Sequence, residues 1–135
     1  MAAPDRAPQA YRQAQVMGSD RRQLVVLMCR ALERYLARAD QAIRGGEFEA
    51  KADALARAHA VLSELVCSLN DEAGGEVTGG LRRLYLGMQR RIVDVDLADD
   101  LELLAEVTQM ARLLAETWEA ALRRCLQERS AAQVA

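Results

Sequence analysis

Proline is confined to Pro4 and Pro8, and none of the residues that follow carries one. No later position therefore has the missing amide and ring clash that interrupt a helix. Aromatics are scarce, with one Phe, one Trp and three Tyr, and β-branched residues are few and scattered. Those shortages exclude a strand-rich fold, and the abundant Ala and Leu of a 51% hydrophobic chain point to an all-α protein. At 135 residues the chain is long enough for one domain with one core.

Charge of one sign is also lacking. Eighteen basic and 20 acidic side chains leave a net −2, so there is no broad positive field and no nucleic-acid partner is expected. Lys51 is the only lysine; the remaining cations are arginines, with Arg-Arg pairs at 21–22, 82–83, 90–91 and 123–124 interspersed with acids. That pattern reads as solvated helix faces. The longest apolar run, LVVLMC from Leu24 to Cys29, is far below the ~18 residues of a membrane span, so no membrane insertion is expected. The first fifteen residues lack the apolar stretch of a secretory signal. Cys29, Cys67 and Cys125 are odd in number, form no CxxC and sit in helical patterns, as reduced thiols of a cytoplasmic protein do.

His59 is the sole imidazole. Catalytic Ser/His/Asp or Cys/His arrangements find no plausible base, and Lys51 lies in a charged segment expected to be exposed. A di-iron bundle needs Glu three residues before each of two histidines, whereas position 56 is Ala56 and no second histidine exists. Histidine phosphotransfer domains resemble a helix with Lys and Gly three and four residues after the histidine; here those positions hold Leu62 and Ser63. No catalytic residue, metal ligand or cofactor site is expected, and the chain is not read as an enzyme.

What is present is helical periodicity. Residues 1–18 form a polar arm carrying Tyr11, Val16 and Met17. Ser19 is a plausible N-cap, and a first apolar stripe runs from Leu24 to Ile43, ending at Gly45-Gly46. The second stripe runs from Phe48 to Leu69, the third from Leu81 to Val95, and the fourth from Leu103 to Cys125. Asp99 or Asp100 can cap the fourth helix. The spacing predicts helices over about 20–44, 47–69, 78–95 and 100–128, with a frayed tail at 129–135. Short connections make neighbours antiparallel, giving an up-down four-helix bundle over 19–128.

Glycine interrupts this pattern once. Gly74, Gly75, Gly79 and Gly80 fall within seven residues. Gly74 and Gly79 have P-loop glycine spacing, but Gly80 and Leu81 stand where Lys and Ser/Thr would bind phosphate, and the preceding segment is helical. A hinge at Gly74-Gly75 is the alternative, with Gly79-Gly80 delaying the third helix until near Gly80 and raising mobility there. The apolar faces also exceed what four seams require. Leu24, Val25, Val26, Leu27 and Met28 follow one another, so at least one points outward, against the arm, a dimer partner or a groove for another protein's helix.

The block SLNDEAGGEV, from Ser68 to Val77, followed by Leu81, Leu84, Tyr85, Met88, Arg90, Arg91 and Ile92, resembles the FliS family of flagellin-export chaperones. Tyr11, Val16 and Ser19, Asp96-Leu97 with Asp100, and Trp118 match in form, so the resemblance covers about residues 10 to 121. It implies a four-helix bundle with the N-terminal arm lying against it. It also implies binding of the disordered C-terminal segment of flagellin, prevention of its polymerisation, and delivery to the cytosolic domain of the export gate. Candidate client contacts are Val16, Leu24, Leu27, Leu55, Leu62, Leu101 and Leu104, with Tyr11 for the arm or gate and Gly74 and Gly75 as hinge. A homodimer is possible. The first helix departs from the family's L-Y-D-G-A pattern at Cys29 and Arg30, which leaves open a paralogue serving another partner.

Overall fold

The computed structural model describes residues 19–69 and 71–134, so the arm with Tyr11 and Val16 lies outside the described residues. Four helices account for nearly all of them: α1 (Ser19–Arg44), α2 (Phe48–Cys67), α3 (Asp71–Ala98) and α4 (Leu101–Val134). They form an all-α four-helix bundle. Each helix packs on its two neighbours around a square, and the diagonal pairs make no close backbone approach. Pairings fix the directions. Arg21 near the start of α1 donates to the Ser68 carbonyl beyond α2 (2.7 Å), and Lys51 at the start of α2 reaches Asp96 and Asp99 at the end of α3.

The core draws on every helix. Leu32, Leu36, Leu62, Leu65, Tyr85, Met88, Ile92, Val95, Leu104 and Val107 are buried. Between them Ala39, Ala54, Ala58, Ala111 and Ala115 are buried too, and such small side chains let helix axes approach closely. The shortage of aromatics is thus matched by tight, alanine-spaced seams.

Local chemistry explains the ends. Gly46, at φ 68, closes α1: its amide donates to the Ile43 carbonyl (3.2 Å) and the Glu47 amide donates to the Ala42 carbonyl (2.9 Å). Those are the two bonds of a Schellman motif, which places a left-handed residue just past the helix. Asp100 caps α4 by accepting from the Leu103 amide (3.1 Å). The preceding Asp99 has φ 50, a left-handed conformation that Asp tolerates better than most residues. Its Oδ1 also takes the Lys51 ammonium at 2.6 Å.

Three expectations are corrected here. Lys51 is not exposed: it is 8% accessible, held by Asp99 Oδ1, the Asp96 carbonyl (3.1 Å) and Asp96 Oδ1 (3.2 Å), because a buried ammonium must be paired. The third helix does not wait for Gly80. Helical backbone starts at Asp71, breaks at Gly75 and resumes through Gly79 and Gly80, where Thr78 is already buried. The fourth helix does not end near 128 but continues to Val134, with residues 126–133 exposed.

Gly75 has φ 53 and ψ −125, a combination essentially restricted to glycine. A Cβ there would meet nothing within 4 Å, so any penalty is backbone conformation alone. At Gly79 and Gly80 a Cβ would approach only the mobile end of Arg83, at 3.6 and 3.9 Å. Gly75→Ala should therefore destabilise the fold by about 1–3 kcal/mol. Gly79→Ala should stabilise it by up to about 1 kcal/mol, since it relieves glycine's helix penalty. Opposite shifts of the urea midpoint check the pair.

Candidate functional site

At the end of the bundle where α1 begins and α2 finishes lies a cavity of about 400 Å³. Val25, Leu69, Val77, Leu81, Tyr85 and Trp118 supply its apolar wall, and Arg21 and Arg22 stand at it with no acidic side chain among the described lining residues. Helix spacing puts them there. Val77, Leu81 and Tyr85 recur every four residues on α3, beyond the break at Gly75. The Tyr85 hydroxyl is pushed up to about 12, first by burial, then by the nearby Cys29 thiol, with the Trp118 side chain pulling the other way. A second cavity of about 490 Å³ lies between α1 and α4, bounded by Leu36, Ala37, Ala105 and Thr108, with Asp40 and Arg112 among its polar residues.

The sequence-chosen contacts divide. Leu27 is 59% exposed, and Leu24 and Leu101 are half-buried against the core. Leu55, Leu62 and Leu104 are instead buried at 0–2%, within the core cluster, and present no surface to a partner in this conformation. Phe48, placed on the inward stripe of α2, is 68% exposed. Periodicity alone assigned each stripe but not its centre. The cavity residues Val25, Leu69, Val77, Leu81 and Trp118 were not among the candidate client contacts. Leu69, Val77 and Leu81 sit within or beside the glycine segment, and Val25 near the start of α1 and Trp118 midway along α4 face it.

Among the described residues no group of three or more His, Cys, Asp or Glu could hold a metal ion. His59 is half-buried and lies beside Gln89, whose amide donates to the His59 carbonyl (3.0 Å) and to Ser63 Oγ (2.8 Å), joining α2 to α3. Both departures in the first helix are engaged within the fold. Cys29 is fully buried, and Arg30 pairs with Glu33 (2.6 Å) on its own helix and with Glu119 on α4, tying α1 to α4.

Burial raises the Cys29 thiol from 9.0 to about 12, with Glu33 adding and Arg30 opposing; Tyr85 rises from 10.0 to about 12. Both groups keep their protons in the folded chain and lose them sooner when unfolded. Their contribution is complete below pH 9.0 and is lost as pH climbs toward about 12. Each group should lower the unfolding free energy by about 1.4 kcal/mol per pH unit inside its window. Urea midpoints measured on both sides of pH 9.0 check this, with a shallower alkaline slope expected for Cys29→Ala. Exposed Cys67 should alkylate in the native state, and Cys29 only on unfolding.

No described helix is long and apolar enough to cross a membrane. The arrangement defines a helical scaffold whose open features are two cavities, one of them with an apolar wall, and exposed apolar side chains. The model of the flagellar protein FliS family matches residues 4–124, and the chain belongs to that family. It is 30% identical over 105 residues to the flagellar secretion chaperone FliS of Salmonella typhimurium, covering 77% of this chain and 78% of that one. It is 32% identical over 108 residues to the flagellar secretion chaperone FliSB of Pseudomonas aeruginosa, covering 79% and 85%. Against FliS of Bacillus subtilis the identity is 26% over 113 residues, covering 84% of each chain.

Proposed function

We propose that this protein is a cytoplasmic, non-enzymatic secretion chaperone. It binds the disordered C-terminal segment of flagellin, keeps it from polymerising and delivers it to the cytosolic domain of the flagellar export gate. The observation that carries the reading is the family match over residues 4–124. The apolar cavity at Val77, Leu81 and Trp118, together with exposed Leu27, supplies surface of the kind such a client needs. A disordered segment loses chain entropy when it orders, and burial of apolar area at about 25 cal/mol per Å² can offset that loss. Cys29 is buried and Arg30 is paired with Glu33 and Glu119, so neither departure by itself argues for a different client.

Calorimetric titration with the C-terminal segment of the organism's own flagellin tests the reading. One-to-one binding with a negative heat-capacity change is expected. A folded protein giving no heat and no co-elution would overturn it, and would mean that the fold serves another partner. For delivery, Tyr11→Ala should leave client affinity unchanged while weakening capture by the isolated gate domain. Equal capture would remove Tyr11 from that contact.

A further inference from the structure

The cavity where α1 begins is basic in a chain that is not. Arg21 and Arg22, in the first turn of α1, line it, while the whole chain carries a net −2. Asp20 and Glu76 adjoin lining residues in sequence, yet neither lines the cavity. Each guanidinium is held in place without being neutralised. Arg21 Nη2 donates to the Ser68 carbonyl (2.7 Å), an uncharged acceptor on the cavity wall. Arg22 Nη1 lies 3.6 Å from Cys125 Sγ, and a thiol sulfur is a weak acceptor. Neither has a carboxylate partner among the described residues, whereas Arg30, Arg44, Arg57 and Arg112 all do.

We propose that this cavity receives the C-terminal end of the client chain, with its terminal carboxylate on Arg21 and Arg22 and its last apolar side chains against Val77, Leu81 and Trp118. The inference rests on the proposed function, which makes the client a C-terminal segment. Charge complementarity selects the chain end as occupant. A C-terminal segment ends in a carboxylate whatever its sequence, and a planar guanidinium matches a carboxylate with two parallel N–H bonds. The volume of about 400 Å³ lies in the range that encloses a small ligand or a few side chains. The apolar wall and the arginines have different tasks. Apolar burial is non-directional, so a disordered amphipathic segment held by it alone can slide along the bundle. A charge-assisted bond to the one carboxylate at the chain end fixes a single register.

Titration of the full chain with the flagellin C-terminal segment, made once with a free terminal carboxylate and once as the terminal amide, tests this. The free acid should bind about tenfold to a hundredfold tighter. A Gly-Ser extension, which keeps the carboxylate but moves it, should cost as much as the amide. Arg22→Gln should bring the affinity of the acid toward that of the amide and leave the amide unchanged. Arg22 is exposed, so the urea midpoint of this variant should stay near that of the parent. Arg21→Gln, which also loses the bond to Ser68, should erase the same preference. Equal affinity for acid and amide overturns the proposal and leaves flagellin binding standing. A preference for the acid that survives both arginine substitutions also overturns it, because the terminus is then read elsewhere. Binding of neither form removes the proposal together with the function on which it rests.

Discussion

Leu62→Ala is expected to lower the unfolding free energy by about 3 kcal/mol, and Leu27→Ala by less than about 0.5 kcal/mol. The two leucines are the same residue type on adjacent helices, and both fall on apolar patterns. Leu62 is 0% exposed and belongs to the cluster in which all four helices meet. Truncating it removes transfer free energy and leaves a cavity that tightly packed neighbours cannot fill. Leu27 is 59% exposed, so its truncation forfeits little contact within the fold. Urea unfolding at matched m-values measures both. A loss at Leu27 comparable to that at Leu62 would show that the outer flank of α1 is covered in solution. On the proposed function, Leu27→Ala should instead appear in client affinity.

Val77→Asp should weaken flagellin-segment binding on the order of tenfold to a hundredfold while leaving stability nearly unchanged. Val77 is 72% exposed, yet it lines the cavity beside Leu81, Tyr85 and Trp118. A carboxylate there would cost the bundle little because water reaches it. Under a docked apolar client the same carboxylate would lose its hydration and gain no donor. Calorimetry with the client segment reads the effect, and Val77→Ala separates lost contact from added charge by giving a smaller decrease. Unchanged affinity for Val77→Asp would move the client off this cavity.

The sequence by itself determined the helices and most of their ends. Without proline after position 8, and with apolar residues at three- and four-residue steps, no other secondary structure buries the leucines. Gly46 and Asp100 act where their own chemistry dictates: one supplies a left-handed residue past α1, the other an oxygen for a free amide of α4. These are interactions within a few residues of chain, so local sequence contains the whole cause.

Only the tertiary structure decided which apolar positions are core. Leu55, Leu62 and Leu104 share their spacing with half-buried Leu24 and Leu101, and what separates them is which helix lies opposite. Lys51 is buried because two aspartates at the far end of α3 meet it across the bundle, a pairing 45 and 48 residues apart in the chain. The glycine segment divides for the same reason. Gly75 takes a positive-φ conformation that breaks α3, while Gly79 and Gly80 stay helical in a turn that carries buried Thr78 and precedes packed Leu81. Local propensity treats these glycines alike; burial does not.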